Sequence, residues 1–315
     1  MIQVFLDGQE GTTGLQIHAR LRARQDVALL QIDPALRKDD GARRAMLARA
    51  DVAILCLPDE AARQAVSWAA ELPGLRVIDT STAHRVAPGW AYGLPELSVG
   101  HRQAVAAAAR IAVPGCHATG FLAAVYPLVA AGALASDAPL TCHSITGYSG
   151  GGKAMIAQYQ APDRPAAFDS PRQYALGQAH KHLPEMRVVA GLSRPPVFNP
   201  IVCDFYAGMA VSVPLHATLL QRPMGKAMLL ALLRGHYAGQ RFISVHPGPE
   251  EGMLSTGTLA GTNDLRVYVC GNDERLTLVS VLDNLGKGAS GAAMQCMNIA
   301  LGLPEDAGFH ADPRL

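Results

Sequence analysis

Aromatic residues make up only 5% of this 315-residue chain, and two of them are Trp. Ala and Gly are abundant instead, a composition suited to helices packed closely on a sheet. Formal net charge is +1, so no broad basic face for nucleic acid is indicated. No apolar run of about 18 residues is free of breakers, which argues against a membrane span. The six cysteines, at 56, 116, 142, 203, 270 and 296, are dispersed and form no CxxC pair. That spacing excludes a disulfide framework and a structural zinc finger. Cys56, Cys203 and Cys270 lie in strand-like apolar runs and are expected in the core. The chain opens directly on a strand, without a charged leader or apolar signal segment, so a reduced cytoplasmic setting is expected. No internal repeat or low-complexity tract interrupts it.

What is present is 49% apolar residues over a length that suits two domains. The first half alternates strand and helix. Strands are predicted over 2–6, 27–32, 51–57 and 75–79, and helices over 12–24, 41–49 and 60–71. The third strand reads DVAILCL, apolar throughout. Continuous apolar strands joined by helices mean a parallel sheet covered on both faces, the doubly wound α/β architecture. The second half predicts strands over 140–146, 202–213, 242–246, 265–269 and 276–282 around one long helix, 224–237. This is an α+β domain with a mixed sheet. A last helix over 289–301 is expected to return to the first domain. The boundaries are then 1–115 plus 287–315 for the first domain and 116–286 for the second.

The segment Val113-Pro114-Gly115-Cys116-His117-Ala118-Thr119-Gly120 sets a cysteine at the turn between a short strand (111–113) and a long apolar helix (118–131). A helix start offers unpaired N–H groups and the positive end of the dipole, which favour a thiolate. A thiolate is a nucleophile, and covalent chemistry is expected there. The turn after the first strand carries Gly8, Gly11 and Gly14 around Gln9, Thr12 and Thr13. This G-x-x-G-x-x-G spacing is one residue off the common dinucleotide fingerprint but uses the same physics. Asp33 closes the second strand, where an acid binds the ribose of NAD; Arg37 and Lys38 follow and suit the 2′-phosphate of NADP. NADP is favoured. His180 and His182 flank Lys181. They are candidates for metal ligands on a strand, for acid/base work with the thiol, or for an ordinary surface pair. Tyr148 to Lys153 continues a second glycine-rich turn, in which Ser149 and Lys153 suit a phosphate. Arg85 follows the fourth strand and suits a phosphate or carboxylate.

Together, DGQEGTTG (7–14), DTSTAHR (79–85), YGLPEL (92–97), PGCHATG (114–120), TGYSGGGK (146–153), HKHLPEM (180–186) and DNLGKGASGAA (283–293) resemble the shorter form of the N-acetyl-γ-glutamyl-phosphate reductase family of arginine biosynthesis. The likeness runs from end to end. The cysteine motif alone is shared with aspartate-semialdehyde dehydrogenases. The resemblance implies a nucleotide-binding domain, a substrate and dimerisation domain, Cys116 as nucleophile, and an acid/base from the HKH segment, with His182 favoured over His180. It implies that NADP is lined by the turn from Gly8 to Gly14, Ser81, Thr82, Asn284 and Gly288. Arg85, Ser149, Lys153 and Glu185 are carried over as substrate contacts. No metal is implied. A homo-oligomer, dimer or tetramer, is expected.

These parts predict that the thiolate takes the acyl group from an acyl phosphate, that the thioester accepts hydride, and that the semialdehyde leaves. Alternative readings are another semialdehyde dehydrogenase, such as one for aspartyl phosphate, a cofactor-free cysteine acyltransferase or hydrolase, and a non-catalytic dinucleotide-binding regulator.

Overall fold

In a computed structural model that describes residues 1–309, the chain divides into two units: Met1–Pro114 with the chain from Ala289 on, and Gly115–Gly288. The final residues of the expected tail, 310–315, lie outside the described residues.

The first unit contains β1 (Ile2–Asp7), α1 (Thr12–Arg22), β2 (Val27–Leu30), α2 (Asp40–Arg49), β3 (Val52–Leu55), α3 (Asp59–Ala69), β4 (Arg76–Asp79), β5 (Ala91–Tyr92), α4 (Val99–Ala107) and β6 (Arg110–Ala112). Its sheet has the order β2-β1-β3-β4-β6-β5 and every pairing is parallel. Side chains alternate between two cores. Val4, Leu6, Val52, Ile54 and Ile78 face one side with Ile17 and Leu21 of α1. Phe5, Ala53, Leu55 and Val77 face the other with Leu47 of α2 and Ala65 of α3. Burial on both faces is why the strands carry no polar alternation. The last helix of the chain, Gly291–Ala300, belongs to this unit and packs Ala292, Ala293, Met294, Cys296 and Met297 into the first of these cores.

The second unit contains α5 (Cys116–Ala130), β7 (Thr141–Gly147), α6 (Gly152–Gln160), β8 (Arg172–Gln173), α7 (Leu183–Val189), β9 (Val197–Cys203), β10 (Met209–His216), α8 (Lys226–His236), β11 (Ile243–Pro247), β12 (Leu265–Gly271) and β13 (Arg275–Leu282). Its mixed sheet runs β11-β12-β13-β10-β7-β9-β8. α5 packs on β10 and β13 at its centre. Gly120 permits this approach, because a Cβ there would sit 2.5 Å from Val211 Cγ2.

Several sequence expectations are corrected here. The single strand over 202–213 is two strands, β9 and β10, separated by a turn over 204–208. Gly208 holds φ 108° in that turn, against the Thr256 carbonyl. Cys203 and Cys270 are half-buried rather than core. Both sit at alternate positions of strands whose burial alternates, β9 and β12, so they face the less covered side. Cys56 is also half-buried, just past β3. β2 stops at Leu30, and Asp33 instead caps the 3-10 turn Pro34–Leu36, its Oδ1 accepting from Ala35 N at 2.8 Å. The HKH segment is not a strand; it leads into α7, with Pro184 in the first turn of that helix. No helix among the described residues is long and apolar enough to cross a membrane.

Candidate active site

Cys116 is the first residue of α5, one position earlier than the helix start expected from the apolar run. Gly115 caps the helix with extended backbone and no side-chain cap. The helix start is held instead by a carboxylate. Glu185, 1% exposed, accepts from Gly115 N at 3.1 Å, and its other oxygen lies 4.0 Å from His182 Nε2. One buried side chain therefore ties the start of α5 to α7 and to a histidine. A carboxylate at a helix N-terminus is also favoured by the dipole. Glu185 thus braces the start of α5, with its second oxygen beside His182.

His182 is 4% exposed. A nitrogen of His182, a nitrogen of His117 and Cys116 Sγ all lie within 4.8 Å of one another. Among the described residues this is the group with ligand atoms close enough to hold a metal ion. His117 engages both ring nitrogens elsewhere, Nδ1 with Ser144 Oγ at 2.7 Å and Nε2 with the Tyr174 hydroxyl at 2.7 Å, so a metal would have to displace one of these bonds. His180 packs edge-on against His182, with centroids 4.6 Å apart, and its Nδ1 accepts from His182 N at 3.1 Å. Phe198 closes the cluster against the rings of His117 and His180.

The electrostatics follow from this packing. Burial, then the neighbouring His180 and Lys181, push the His117 pKa down to about 3, so this ring stays neutral. Burial, and then the nearby Cys116, push the Tyr174 hydroxyl up, so it stays protonated. Gly288 packs directly on Cys116: a Cβ added there would lie 2.6 Å from Cys116 Cβ.

In the first unit, the glycine turn is a backbone cradle. Gly8 holds φ 87°, and a Cβ there would meet the Cys56 carbonyl oxygen at 2.2 Å. A Cβ on Gly14 would meet Gly8 O at 2.4 Å. Thr12 opens α1, and its buried Oγ1 has no hydrogen-bond partner among the described residues. A cavity of about 390 Å³ lies beside this turn, lined by Gly8, Gln9, Gly11, Arg37, Lys38 and Arg43 among others. Arg43 pairs with Asp7 at 2.9 Å in a buried contact. Burial holds the Asp7 pKa above its ordinary value although Arg43 pulls it down. An orphaned hydroxyl at a helix start, a Cβ-free turn and a cationic flank fit a dinucleotide carrying phosphates.

The remaining predicted residues are placed as follows. Ser81 donates to Asp79 and Thr82 to Asp59, so both hydroxyls serve the loop after β4. Arg85 donates to the carbonyls of Val113 and Thr80, clamping the ends of neighbouring strands. Asn284 donates to Ser149 Oγ and accepts from Gly208 N. Ser149 and Asn284 are therefore buried together, at 1% and 2% exposure. Lys153 is exposed on the first turn of α6. Sequence reasoning passed over His117, Ser144 and Tyr174. His117 was discoverable as the neighbour of Cys116; Tyr174 and Ser144 carry no motif signal.

Comparison with known proteins agrees with this division. Residues 6–107 match the family model described as semialdehyde dehydrogenase, NAD binding domain, and residues 116–284 that described as semialdehyde dehydrogenase, dimerisation domain. N-acetyl-gamma-glutamyl-phosphate reductase 2 of Nostoc sp. is 45% identical over 319 residues, covering 98% of this chain and 99% of that protein. The Pseudomonas putida protein of the same name is 46% identical over 304 residues, covering 95% and 96%. Among solved structures, aspartate semialdehyde dehydrogenase II from Vibrio cholerae superposes with a TM-score of 0.74 at 17% identity, covering 96% of this chain and 98% of that one. The same fold is seen in aspartate semialdehyde dehydrogenase with NADP from Candida albicans, with a TM-score of 0.65 at 15% identity over 95% and 98%. The chain belongs to the N-acetyl-γ-glutamyl-phosphate reductase family, within the semialdehyde dehydrogenases.

Proposed function

We propose that this chain reduces N-acetyl-L-glutamyl 5-phosphate to N-acetyl-L-glutamate 5-semialdehyde and inorganic phosphate in arginine biosynthesis, with NADPH as reductant and Cys116 as nucleophile. The observation that carries the reading is Cys116 at the start of α5 with a nitrogen of buried His182 within 4.8 Å of its sulfur.

In this mechanism His182 takes the thiol proton, and Cys116 sulfur attacks the acyl carbon. The C–O bond to the phosphoryl group breaks with its electron pair, and phosphate leaves. The acyl group is then held as a thioester. N–H groups at the start of α5 are oriented toward negative charge and suit the oxyanion formed in the attack. When bound, NADPH supplies the hydride that the thioester carbonyl accepts. His182 returns its proton to the developing alkoxide; the C–S bond of the thiohemiacetal then breaks with its electron pair going to sulfur while the hydroxyl proton passes back through His182 to the sulfur, which releases the semialdehyde and restores the Cys116 thiol. Holding the acyl group on sulfur splits one difficult reduction into easier steps. His182 is preferred to His180 as the acid/base, because its nitrogen belongs to the Cys116 cluster, whereas Nδ1 of His180 accepts from a backbone N–H.

NADP rather than NAD is supported by Arg37 and Lys38 on the cavity wall, with the Asp33 carboxylate committed to Ala35 N. Gly8, Gly11, Gly14 and Thr12 would hold the pyrophosphate. Assembly with a second copy through the second unit is supported by apolar side chains on its sheet that stay exposed, Ile145 at 38% and Val197 at 54%. Six free cysteines suit the reducing cytoplasm.

The test is NADPH oxidation with N-acetylglutamyl phosphate, compared with aspartyl phosphate, together with capture of the acyl group on Cys116 by mass spectrometry of quenched enzyme. A preference for aspartyl phosphate, or turnover without an adduct in the wild type and with Cys116→Ser nearly as active, overturns the proposal.

A further inference from the structure

Three polar side chains beside the nucleophile form a closed chain: Ser144 on β7, His117 on α5 and Tyr174 just after β8. Ser144 is fully buried, and among the described residues the one hydrogen-bond partner of its hydroxyl is His117 Nδ1 at 2.7 Å. Tyr174 is less buried, and among the described residues the one hydrogen-bond partner of its hydroxyl is His117 Nε2 at 2.7 Å. Two proton arrangements are compatible with these distances. With the proton on Nδ1, the ring donates to Ser144 and accepts from Tyr174. The Ser144 hydroxyl proton then faces the interior with no acceptor. With the proton on Nε2, Ser144 donates to Nδ1, the ring donates to the Tyr174 oxygen, and the unpaired proton is that of Tyr174. Buried donors without acceptors are penalised far more than donors that reach a ligand or water. The second arrangement leaves its spare donor on Tyr174, the less buried of the two residues and a neighbour of Cys116.

We propose that Ser144 and His117 are positioning residues that fix the Nε2–H tautomer and so turn the Tyr174 hydroxyl proton outward, as a hydrogen-bond donor for an anionic oxygen of the acyl-phosphate substrate. This rests on the substrate class proposed above. The sequence of donations is Ser144 to His117 to Tyr174 to ligand, and no proton changes owner along it. Burial keeps the ring neutral, as its depressed pKa indicates, so the relay does not reverse by protonation at working pH. The loop after Tyr174 is held in a strained form, with Ala175 at φ 52° and Gln178 at φ 55°, both rare for residues other than glycine. Gln178 anchors it by donating to Phe198 O and accepting from Phe198 N, each at 2.8 Å. That loop carries the hydroxyl to the ring.

Two measurements test this. Ring-15N histidine NMR of the substrate-free protein reads the tautomer directly and does not depend on the substrate assignment. Protonated Nε2 and bare Nδ1 at His117 are expected in the wild type; the reverse overturns the proposal. A double-substitution cycle tests the coupling. Ser144→Ala is expected to lower kcat/KM about tenfold, the size of one hydrogen bond, with Ser144→Thr restoring it. In a Tyr174→Phe background, Ser144→Ala should have no further effect beyond about twofold, since the donor it serves is gone. Equal losses in both backgrounds would mean that Ser144 acts through packing and would overturn the proposal. Thermal midpoints confirm that each variant is folded. If the tautomer is as expected but no acyl phosphate is turned over, the substrate assignment has failed and the tautomer assignment has not.

Discussion

Gly288→Ala tests how closely the nucleophile depends on its neighbour. A Cβ at position 288 would lie 2.6 Å from Cys116 Cβ, 3.2 Å from Cys116 Cα and 3.1 Å from the Asp283 carbonyl oxygen. Carbon atoms in ordinary contact stand about 3.5–4.0 Å apart, so one side must move by about 1 Å. The Asp283 side is fixed, because its carbonyl accepts from Gly288 N and its carboxylate accepts from Leu285 N and Gly261 N. The start of α5 is therefore what yields. A shift of about 1 Å at the reacting atom lowers the rate by about 10²-fold. Overpacking adds about 1–3 kcal/mol of destabilisation, which lowers Tm by several degrees in a unit of this size. The assays are kcat by NADPH oxidation and the rate at which iodoacetamide alkylates Cys116 without cofactor. The second separates a displaced thiol from weakened cofactor binding. Gly225→Ala is the control. Its Cβ would meet Asp273 Oδ1 at 2.4 Å, so it should lower Tm and leave alkylation of Cys116 unchanged. A folded Gly288→Ala variant with wild-type kcat and wild-type alkylation would refute the reasoning.

Other outcomes follow from the same geometry. Cys116→Ser should lower kcat by at least about 10³-fold, and the acyl adduct should vanish from the mass spectrum. Removing both Arg37 and Lys38 as alanines should raise KM for NADPH by about 10–100-fold and leave KM for NADH nearly unchanged if, as proposed, each cation serves the extra phosphate. Glu185→Gln should keep the bond from Gly115 N but remove a negative charge 4.0 Å from His182; the acidic limb of the kcat/KM profile should move to lower pH, which a pH titration of activity reads. For stability, His117 titrates near 6.5 when unfolded but only near 3 when folded. Between these values the unfolded chain binds one more proton, so stability must fall as pH falls from 6.5 to 3, by at most about 1.4 kcal/mol per pH unit from this group, and be flat above that window. Denaturant titrations of the wild type and His117→Asn across that range should show a shallower slope for the variant.

Legibility in the sequence followed the number of covered faces. Strands of the first unit are packed on both sides, and their unbroken apolar runs announced a parallel sheet. In the second unit the same rule misled. The apolar stretch over 202–213 hid a turn, because only Asp204, Gly208 and Ser212 interrupt it and the partner that demands Gly208, the Thr256 carbonyl, is distant in sequence. β5 and β8 are two residues each, too short for any period to register. α7 begins at once after the HKH segment with Pro184 in its first turn, so the histidines looked like a loop or strand. Tyr174 was out of reach for a related reason. Left-handed backbone is usually announced by glycine, but here it falls on Ala175 and Gln178 and is imposed by pairing with Phe198.

The polar residues teach the sharper lesson. The placement of Cys116 at a helix start and of the glycine turn between strand and helix was legible because each has a characteristic local setting. Glu185, Ser149, Asn284, Ser81 and Thr82 sit in further motifs and were assigned to ligands, and each has a bonding partner within its own unit. A buried polar group must be satisfied by something, and sequence alone does not say whether that partner is substrate or scaffold. Glu185 and Asn284, at 1% and 2% exposure, are bonded within their own unit, whereas the Thr12 hydroxyl has no partner among the described residues. The motif around the nucleophile is therefore two nested sets of residues. On the proposed mechanism one would meet the reactants and the other holds the first in place, so substitutions in the second set should lower activity in proportion to how far they displace Cys116 or Tyr174.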